Sequence, residues 1–197
     1  VYKKEIPEII WEIDILLALE QSCKENKACL FYDWHSERNP RKKRSLKIRR
    51  CDGKRGCIPN ELLVVLGKQK EHYALILNPI PSYPAFTLGE KRSKWMDILH
   101  AYHTWLSSSE HVELWIQKLR LFVQPQNVLV GLYGDSSQED MIPTLLQATQ
   151  EMEITTPIYF TEKKHLLENP LDCWYSNATR DKASLLTSRK QYKRHSG

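Results

Sequence analysis

The spacing of apolar and polar residues divides the chain into helices and strands. Residues 5–28 place isoleucine and leucine at helical spacing, which predicts an amphipathic helix with Pro7 in its first turn. The stretches "ACLFYDW", "ELLVVLG" and "YALILNP" are short and apolar, as is typical of strands. Only "KQKEH" separates the last two, so they predict an antiparallel hairpin.

The second half of the chain predicts helices over 94–106 and 107–122, followed by alternating strands and helices. The strand "NVLVGLYGD" at 127–135 is apolar almost throughout, as expected when both faces of a sheet are covered. Alternation from residue 127 onward favours parallel strands joined by right-handed crossovers. The predicted fold class is therefore α/β: a three-layer αβα domain with a mixed, partly parallel sheet and a long basic loop.

Length and composition predict one domain. With 197 residues, of which 41% are hydrophobic, the chain can form one core, which we expect to span residues 1–177 with a basic loop inserted at 36–57. Residues 178–197 are expected to form a flexible basic tail. No apolar run approaches the roughly 18 residues of a membrane helix, so no membrane association is expected. A chain that opens on Val1 is expected to be part of a larger protein.

Charge is unevenly distributed. The net charge is +5, but two basic segments flank an otherwise acidic body. Residues 38–55 contain ten basic side chains against the single acid Asp52: Arg38, Arg41, Lys42, Lys43, Arg44, Lys47, Arg49, Arg50, Lys54 and Arg55. The tail adds six more against Asp181: Arg180, Lys182, Arg189, Lys190, Lys193 and Arg194.

The five cysteines indicate a reducing compartment. An odd number argues against a disulfide framework, and we expect an intracellular location, nuclear or cytoplasmic. Cys23 with Cys29, and Cys51 with Cys57, each enclose five residues, whereas zinc ligands are usually separated by two to four. Free thiols are the favoured interpretation, and metal binding by the pairs stays open.

Acidic residues follow two of the predicted strands. Asp33 and Asp135 lie at strand exits, and Glu139 and Asp140 lie at the start of the next helix. If the two strands were parallel and adjacent, Asp33, Asp135 and Asp140 would converge on a Mg²⁺ or Mn²⁺ site. Two such ions can drive phosphodiester hydrolysis, with Asp33, Asp135 and Glu139 as the catalytic residues.

This arrangement of acids loosely resembles PIN-domain nucleases. The resemblance rests on those four residues, and it implies metal-dependent cleavage of RNA or DNA. It departs from the family where the hairpin at 61–79 interrupts the alternation and where no clear additional acid lies in a central helix. The simpler interpretation is that these acids stabilise turns and helix N-termini.

The basic segment favours nucleic-acid binding. Ten cations cannot be buried unpaired, so they must lie at the surface, where lysine and arginine bind phosphates with strong salt dependence. The segment holds no aromatic residue to stack on bases, so we expect binding without sequence specificity. The predicted function is a non-catalytic, nucleic-acid-associated domain of a larger protein or assembly, without cofactors. "RNPRKKRSLKIRR" also fits a nuclear import signal.

A protein-interaction scaffold is the third hypothesis. Residues 94–122 contain three tryptophans and could present an aromatic docking face to a protein partner. The basic loop would then contact an acidic surface of that partner.

Overall fold

A seven-stranded mixed sheet forms the centre of the protein in this computed structural model. The structure describes residues 6–26, 29–36, 46–58, 62–80, 90–134 and 141–185. The helices of this part are α1 (Ile6–Glu25), α2 (Glu90–Leu106), α3 (Ser109–Leu119), α4 (Met141–Glu151) and α5 (Lys163–Glu168). The strands are β1 (Cys29–Ser36), β2 (Ile48–Arg49), β3 (Cys57–Ile58), β4 (Leu62–Lys68), β5 (Glu71–Pro79), β6 (Val128–Gly134), β7 (Tyr159–Glu162), β8 (Trp174–Ser176) and β9 (Lys182–Ala183).

The strand order of the large sheet is β1-β4-β5-β6-β7-β8-β9. The pairs β1–β4 and β4–β5 are antiparallel, and β5–β6 and β6–β7 are parallel. At the other end, β7–β8 and β8–β9 are antiparallel again. The predicted mixed, partly parallel sheet is confirmed.

Helices cover both faces of this sheet, which confirms the three-layer αβα architecture. Side chains of α1 and α5 pack on one face, where Leu62, Val64 and Leu75 belong to the same buried cluster. Side chains of α2, α3 and α4 pack on the other face with Leu63 and Val65. Alternate residues of β4 thus pack against opposite helical layers, as the two-residue period of a strand requires.

The hairpin between β4 and β5 closes through a two-residue turn. Lys68 pairs with Glu71, which leaves Gln69 and Lys70 at the turn. Both turn residues have positive φ, at 51° and 71°, as in a type I′ turn. This turn type matches the twist of the two strands, but it normally takes asparagine and glycine. The hairpin predicted from the sequence is confirmed. The two-residue turn fixes its register, although glutamine and lysine seldom adopt a positive φ.

A β-bulge interrupts β1 at Tyr32. Phe31 pairs with Leu66 and Asp33 pairs with Val65, so Tyr32 is an additional residue on this strand. The extra residue reverses the alternation of side chains, as bulges do. Phe31 and Trp34 therefore both pack against the α1 layer.

Helix α1 is apolar on more than one side. Ile15 and Leu19 are buried against the sheet, whereas Ile13 and Leu17 are exposed. Glu12 is also buried, and its carboxylate accepts a hydrogen bond from the Ser36 hydroxyl at 2.6 Å. Among the described residues, no helix is both long and apolar enough to cross a membrane.

The second half of the predicted basic loop is ordered structure. Strands β2 and β3 form a small hairpin apart from the main sheet. Leu46, Ile48 and Ile58 of this segment are buried in the core on the α2–α3 side. The surface loop predicted over 36–57 is therefore partly strand within residues 46–57, where Leu46 and Ile48 anchor the chain in the core. Residues 37–45 lie outside the described part.

The folded chain continues past the predicted boundary at residue 177. Strand β9 pairs with β8, and the Leu185 amide donates to the Leu171 carbonyl at 3.0 Å. Leu185 is buried against the α1–α5 layer. The first eight residues of the predicted tail thus belong to the domain, and residues 186–197 lie outside the described part.

Candidate functional site

A groove of about 470 Å³ lies between the β2 segment and α3. We call it the basic groove. Its lining comprises Lys47, Arg49, Arg50, Cys51, Trp105, His111, Leu114, Trp115 and Lys118. Four of these nine side chains are lysine or arginine, and none is a carboxylate, so the lining is cationic.

Helix α3 supplies one wall of the basic groove. His111, Leu114 and Lys118 follow i, i+3, i+7 spacing and so share one face of the helix. The Ser108 side chain caps this helix by accepting from the His111 amide at 3.4 Å. Exposed Glu113 points away from this face, because it is offset from Leu114 by about 100°.

Trp115 attaches the opposite wall to α3. Its indole Nε1 donates to the Leu46 carbonyl at 3.2 Å, and its ring packs edge to face on Trp105 with centroids 5.5 Å apart. Lys47 and Arg49 come directly after this anchor, and both are exposed. The alternation of buried Leu46 and Ile48 with these two cations directs the charges away from the core.

Arg49 and Lys118 supply the unpaired charge of the groove. Both side chains are exposed, and within the described residues neither forms an ion pair. They line the same groove from two different elements, the β2 segment and α3. Their charges are not offset by any carboxylate of the lining.

Arg50 is different, because its charge is neutralised within the fold. Its guanidinium is only 10% exposed and donates through Nε to Asp52 at 3.0 Å and through Nη1 to Asp97 at 2.9 Å. The Asp52 carboxylate is fully covered, and the Arg50 hydrogen bonds lower its pKa to about 2. This cluster fastens the β2–β3 hairpin to α2, and Arg50 is a structural residue.

The other predicted cations of this segment also include one that is paired within the fold and one that is exposed. Lys54 forms an ion pair with Asp97, and this contact is the main reason why the pKa of Asp97 is lowered. Arg55 is exposed and forms no ion pair within the described residues. Five of the predicted nucleic-acid-binding residues lie outside the described part: Arg38, Arg41, Lys42, Lys43 and Arg44.

Asp33 lies far from the end of β6 in the sheet. Strands β4 and β5 lie between β1 and β6, which separates them by about 14 Å. Asp33 is level with Val128, the first residue of β6, through its register with Val65 and Ala74. The end of β6 at Gly134 lies about 20 Å further along the strand.

The hypothesis of a shared cation required the two strands to be parallel and adjacent. Strands β1 and β6 are parallel, but they are not adjacent, because β4 and β5 lie between them. A metal site formed by these acids stays a prediction. Asp33 lies 3.3 Å from the His35 Nε2 and accepts from the Trp34 amide at 2.8 Å. The other acids of that prediction lie outside the described residues: Asp135, Glu139 and Asp140.

The cysteine pairs do not assemble a metal site in the described part of the chain, where no group of three potential ligands occurs. Cys23 and Cys29 are buried at the junction of α1 and β1, with their Sγ atoms 3.3 Å apart. Cys51 is half-buried in the basic groove, and burial raises the pKa of its thiol. Cys57 is exposed.

The aromatic docking face predicted for residues 94–122 is not formed by Trp105 and Trp115, because both are buried in the core. Tyr102 is buried as well and accepts a hydrogen bond from the Asn78 amide. The side chain of Trp95 is not described. Exposed apolar side chains of this region are Leu114 and Phe122.

Sequence reasoning missed the contribution of α3 to the candidate site. His111, Leu114 and Lys118 were visible at helical spacing, but their relation to Arg49 depends on tertiary packing. No protein-family model, curated protein or solved structure matches this chain. The basic groove therefore has to be interpreted from its own chemistry.

Proposed function

We propose that this chain is a non-catalytic, nucleic-acid-binding domain that contacts phosphates through the basic groove and the basic segment at 38–55. The observation that carries the proposal is that Arg49 and Lys118 line one groove from different elements, both exposed and without an ion pair among the described residues, in a lining without carboxylates. Phosphodiester oxygens are the ligands that such cations bind most generally in cells.

The internal pairing of Arg50 and Lys54 supports this division of roles. Asp52 and Asp97 hold these two residues within the fold, so the hairpin is rigidly placed while Arg49 stays available. The predicted cations at 38–44 and 189–194 lie outside the described residues and would add positive charge for phosphate contacts. We expect binding without sequence specificity, and an intracellular location, nuclear or cytoplasmic, in a larger protein or assembly.

The test measures how labelled nucleic acid binds to the wild type and to a groove variant. Arg49→Ala combined with Lys118→Ala should weaken binding and lower the slope of log affinity against log salt concentration by about 1 to 2. Fluorescence anisotropy with single-stranded and duplex DNA and RNA of matched length gives both quantities. Circular dichroism melts check that the variant folds.

A matched control removes the same charge elsewhere. Lys24→Gln with Lys164→Gln deletes two exposed cations of α1 and α5, the layer on the other face of the sheet from α3. This control should bind like the wild type. If both double variants lost the same amount of binding affinity, the loss would come from net charge alone. That result would contradict a binding site in the groove. Absence of binding by the wild type would reject the proposal.

A further inference from the structure

Tyr32 is a half-exposed aromatic residue at the bulge of β1. The Cε2 edge of its ring lies against Gly67, where a Cβ atom would overlap it, and the residue is still 52% exposed. Glycine at this position makes room for the ring edge beside the strand. The bulge at Tyr32 directs the ring to the same side of the sheet as α3.

His72 connects Tyr32 to a second exposed ring. The Tyr32 and His72 rings meet edge to face with centroids 4.6 Å apart. The His72 Nδ1 lies 2.9 Å from the Phe122 carbonyl oxygen, and the His72 carbonyl accepts from the Asn127 side chain at 3.2 Å. Phe122 is 88% exposed. We call Tyr32, His72 and Phe122 the aromatic patch.

Cations of α3 lie next to the aromatic patch. Arg120, in the left-handed conformation at the end of α3, precedes Phe122 by two residues and is exposed. Lys118 of the basic groove is four residues away, which limits its Cα distance from Phe122 to about 14 Å. On β5, Glu71 alternates with His72 and faces the other side of the sheet, where it accepts from the Tyr73 hydroxyl at 2.7 Å.

We infer that the aromatic patch binds unpaired bases, so that the ligand of the basic groove is single-stranded nucleic acid. This inference rests on the proposed function and specifies its substrate. Open aromatic faces stack on any base, and neighbouring arginine and lysine neutralise the phosphates of the same strand. Bases of a duplex are already stacked on one another, so the patch adds affinity for single strands only.

The choice of ligand follows from charge and geometry together. A docking site for a protein would be expected to bury a contiguous apolar surface. Here the exposed Phe122 ring follows the exposed cations Lys118 and Arg120 within four residues, and this combination of a stacking group with phosphate-binding groups fits a polynucleotide. No sequence preference is expected, because a ring face does not read the hydrogen-bonding edges of bases.

The experiment compares a poly-thymidine single strand with a duplex of matched length. Tyr32→Ala with Phe122→Ala should weaken single-strand binding by about tenfold or more, and leave duplex binding within about twofold. Tyr32→Phe should retain the wild-type affinity, because it keeps the ring face. Leu17→Ala, which truncates an exposed apolar side chain of α1, is the control and should change neither affinity.

The outcomes separate this inference from the function on which it rests. If the aromatic variant binds both ligands like the wild type while the Arg49 and Lys118 variant binds them more weakly, base stacking is rejected. That result retains phosphate binding by the basic groove. Equal losses for single strand and duplex also reject stacking. If the wild type binds neither ligand, the proposed function fails and this inference with it.

Discussion

Arg50 Nη1 lies 2.9 Å from the Oδ2 of Asp97, a residue 47 positions later in the chain. The same guanidinium binds the fully covered carboxylate of Asp52. An arginine that bridges two carboxylates in this way fixes the position of the β2–β3 hairpin on α2. The adjacent Arg49 has no such partner, so two neighbouring arginines have opposite roles.

Replacing Arg50 should therefore reduce stability, and replacing Arg49 should not. Arg50→Ala leaves the covered carboxylate of Asp52 without its main donor and removes one of the two donors of Asp97, and we expect it to lower the free energy of unfolding by about 3 kcal/mol. Arg49→Ala should change it by no more than about 0.5 kcal/mol. Urea unfolding followed by circular dichroism measures both. Similar values for the two variants would contradict the assignment.

Acid should weaken the same cluster. The pKa of Asp52 in the folded chain is about 2, below its ordinary value of 3.8, and the pKa of Asp97 is also lowered. Their contribution to stability is complete above the unfolded pKa and is lost as pH falls through the folded pKa. The urea midpoint should therefore fall between pH of about 4 and about 2.

Asp52→Asn provides the comparison for this pH dependence. The variant should be less stable at neutral pH, and its urea midpoint should change less over the acid range, because one titrating carboxylate is gone. Parallel pH curves for the variant and the wild type would show that Asp52 does not titrate as described.

The β4–β5 turn offers a stabilising substitution. Gln69 and Lys70 both adopt positive φ, which costs an ordinary residue about 1 kcal/mol. Gln69→Asn with Lys70→Gly supplies the preferred type I′ pair and should raise the free energy of unfolding by about 1 kcal/mol. Gln69→Val, which is branched at Cβ, should lower it. Thermal melts of the three proteins test the turn type, and a destabilised Asn-Gly variant would contradict it.

The four cations at 41–44 should contribute to binding through charge. Replacing Arg41, Lys42, Lys43 and Arg44 by alanine should weaken nucleic-acid binding and reduce the slope of log affinity against log salt by about 3 to 4. A variant in which arginines and lysines are exchanged for one another at these positions keeps the charge and should keep the slope. Unchanged binding in the alanine variant would remove this segment from the interface.

Thiol reactivity should follow burial. Cys57 is exposed, whereas Cys23, Cys29 and Cys173 are buried and Cys51 is half-buried with a raised pKa. A maleimide should therefore modify Cys57 first in the native protein and all five thiols in urea. Mass spectrometry of wild type and Cys57→Ser resolves the order. Early modification of Cys23 or Cys29 would contradict the packing of α1 on β1.

Hydrophobic patterning predicted much of the architecture. The runs at 61–67 and 73–79 identified the hairpin. The alternation after residue 127 correctly predicted the parallel pair β6–β7, but it was wrong for β8, which follows α5 and is antiparallel to β7. These signals worked because each strand is apolar on both faces and lies between two helical layers. The same patterning placed five helices in the order that the described chain shows.

The basic segment was harder to interpret because two patterns overlap in it. Lys47 and Arg49 suggested a solvated loop, while Leu46 and Ile48 carried the two-residue period of a buried strand. The partial alternation in "RSLKIRR" allowed a charged edge strand, but charge dominated the interpretation, and the burial of Leu46 and Ile48 in the core was not predicted. The partners of Arg50 could not be foreseen, because Asp97 approaches it only through the tertiary fold.

The bulge in β1 limits which insertions and deletions this strand can accept. It divides eight residues into two halves of opposite phase, so that Phe31 and Trp34 reach one layer while Tyr32 reaches the other. Deleting Tyr32 would bring the halves into phase, leave Asp33 on the side of Val65 and remove the ring that lies beside Gly67. The exposed position of the Tyr32 ring thus depends on the number of residues in β1. Substitutions in this strand should therefore be better tolerated than insertions or deletions.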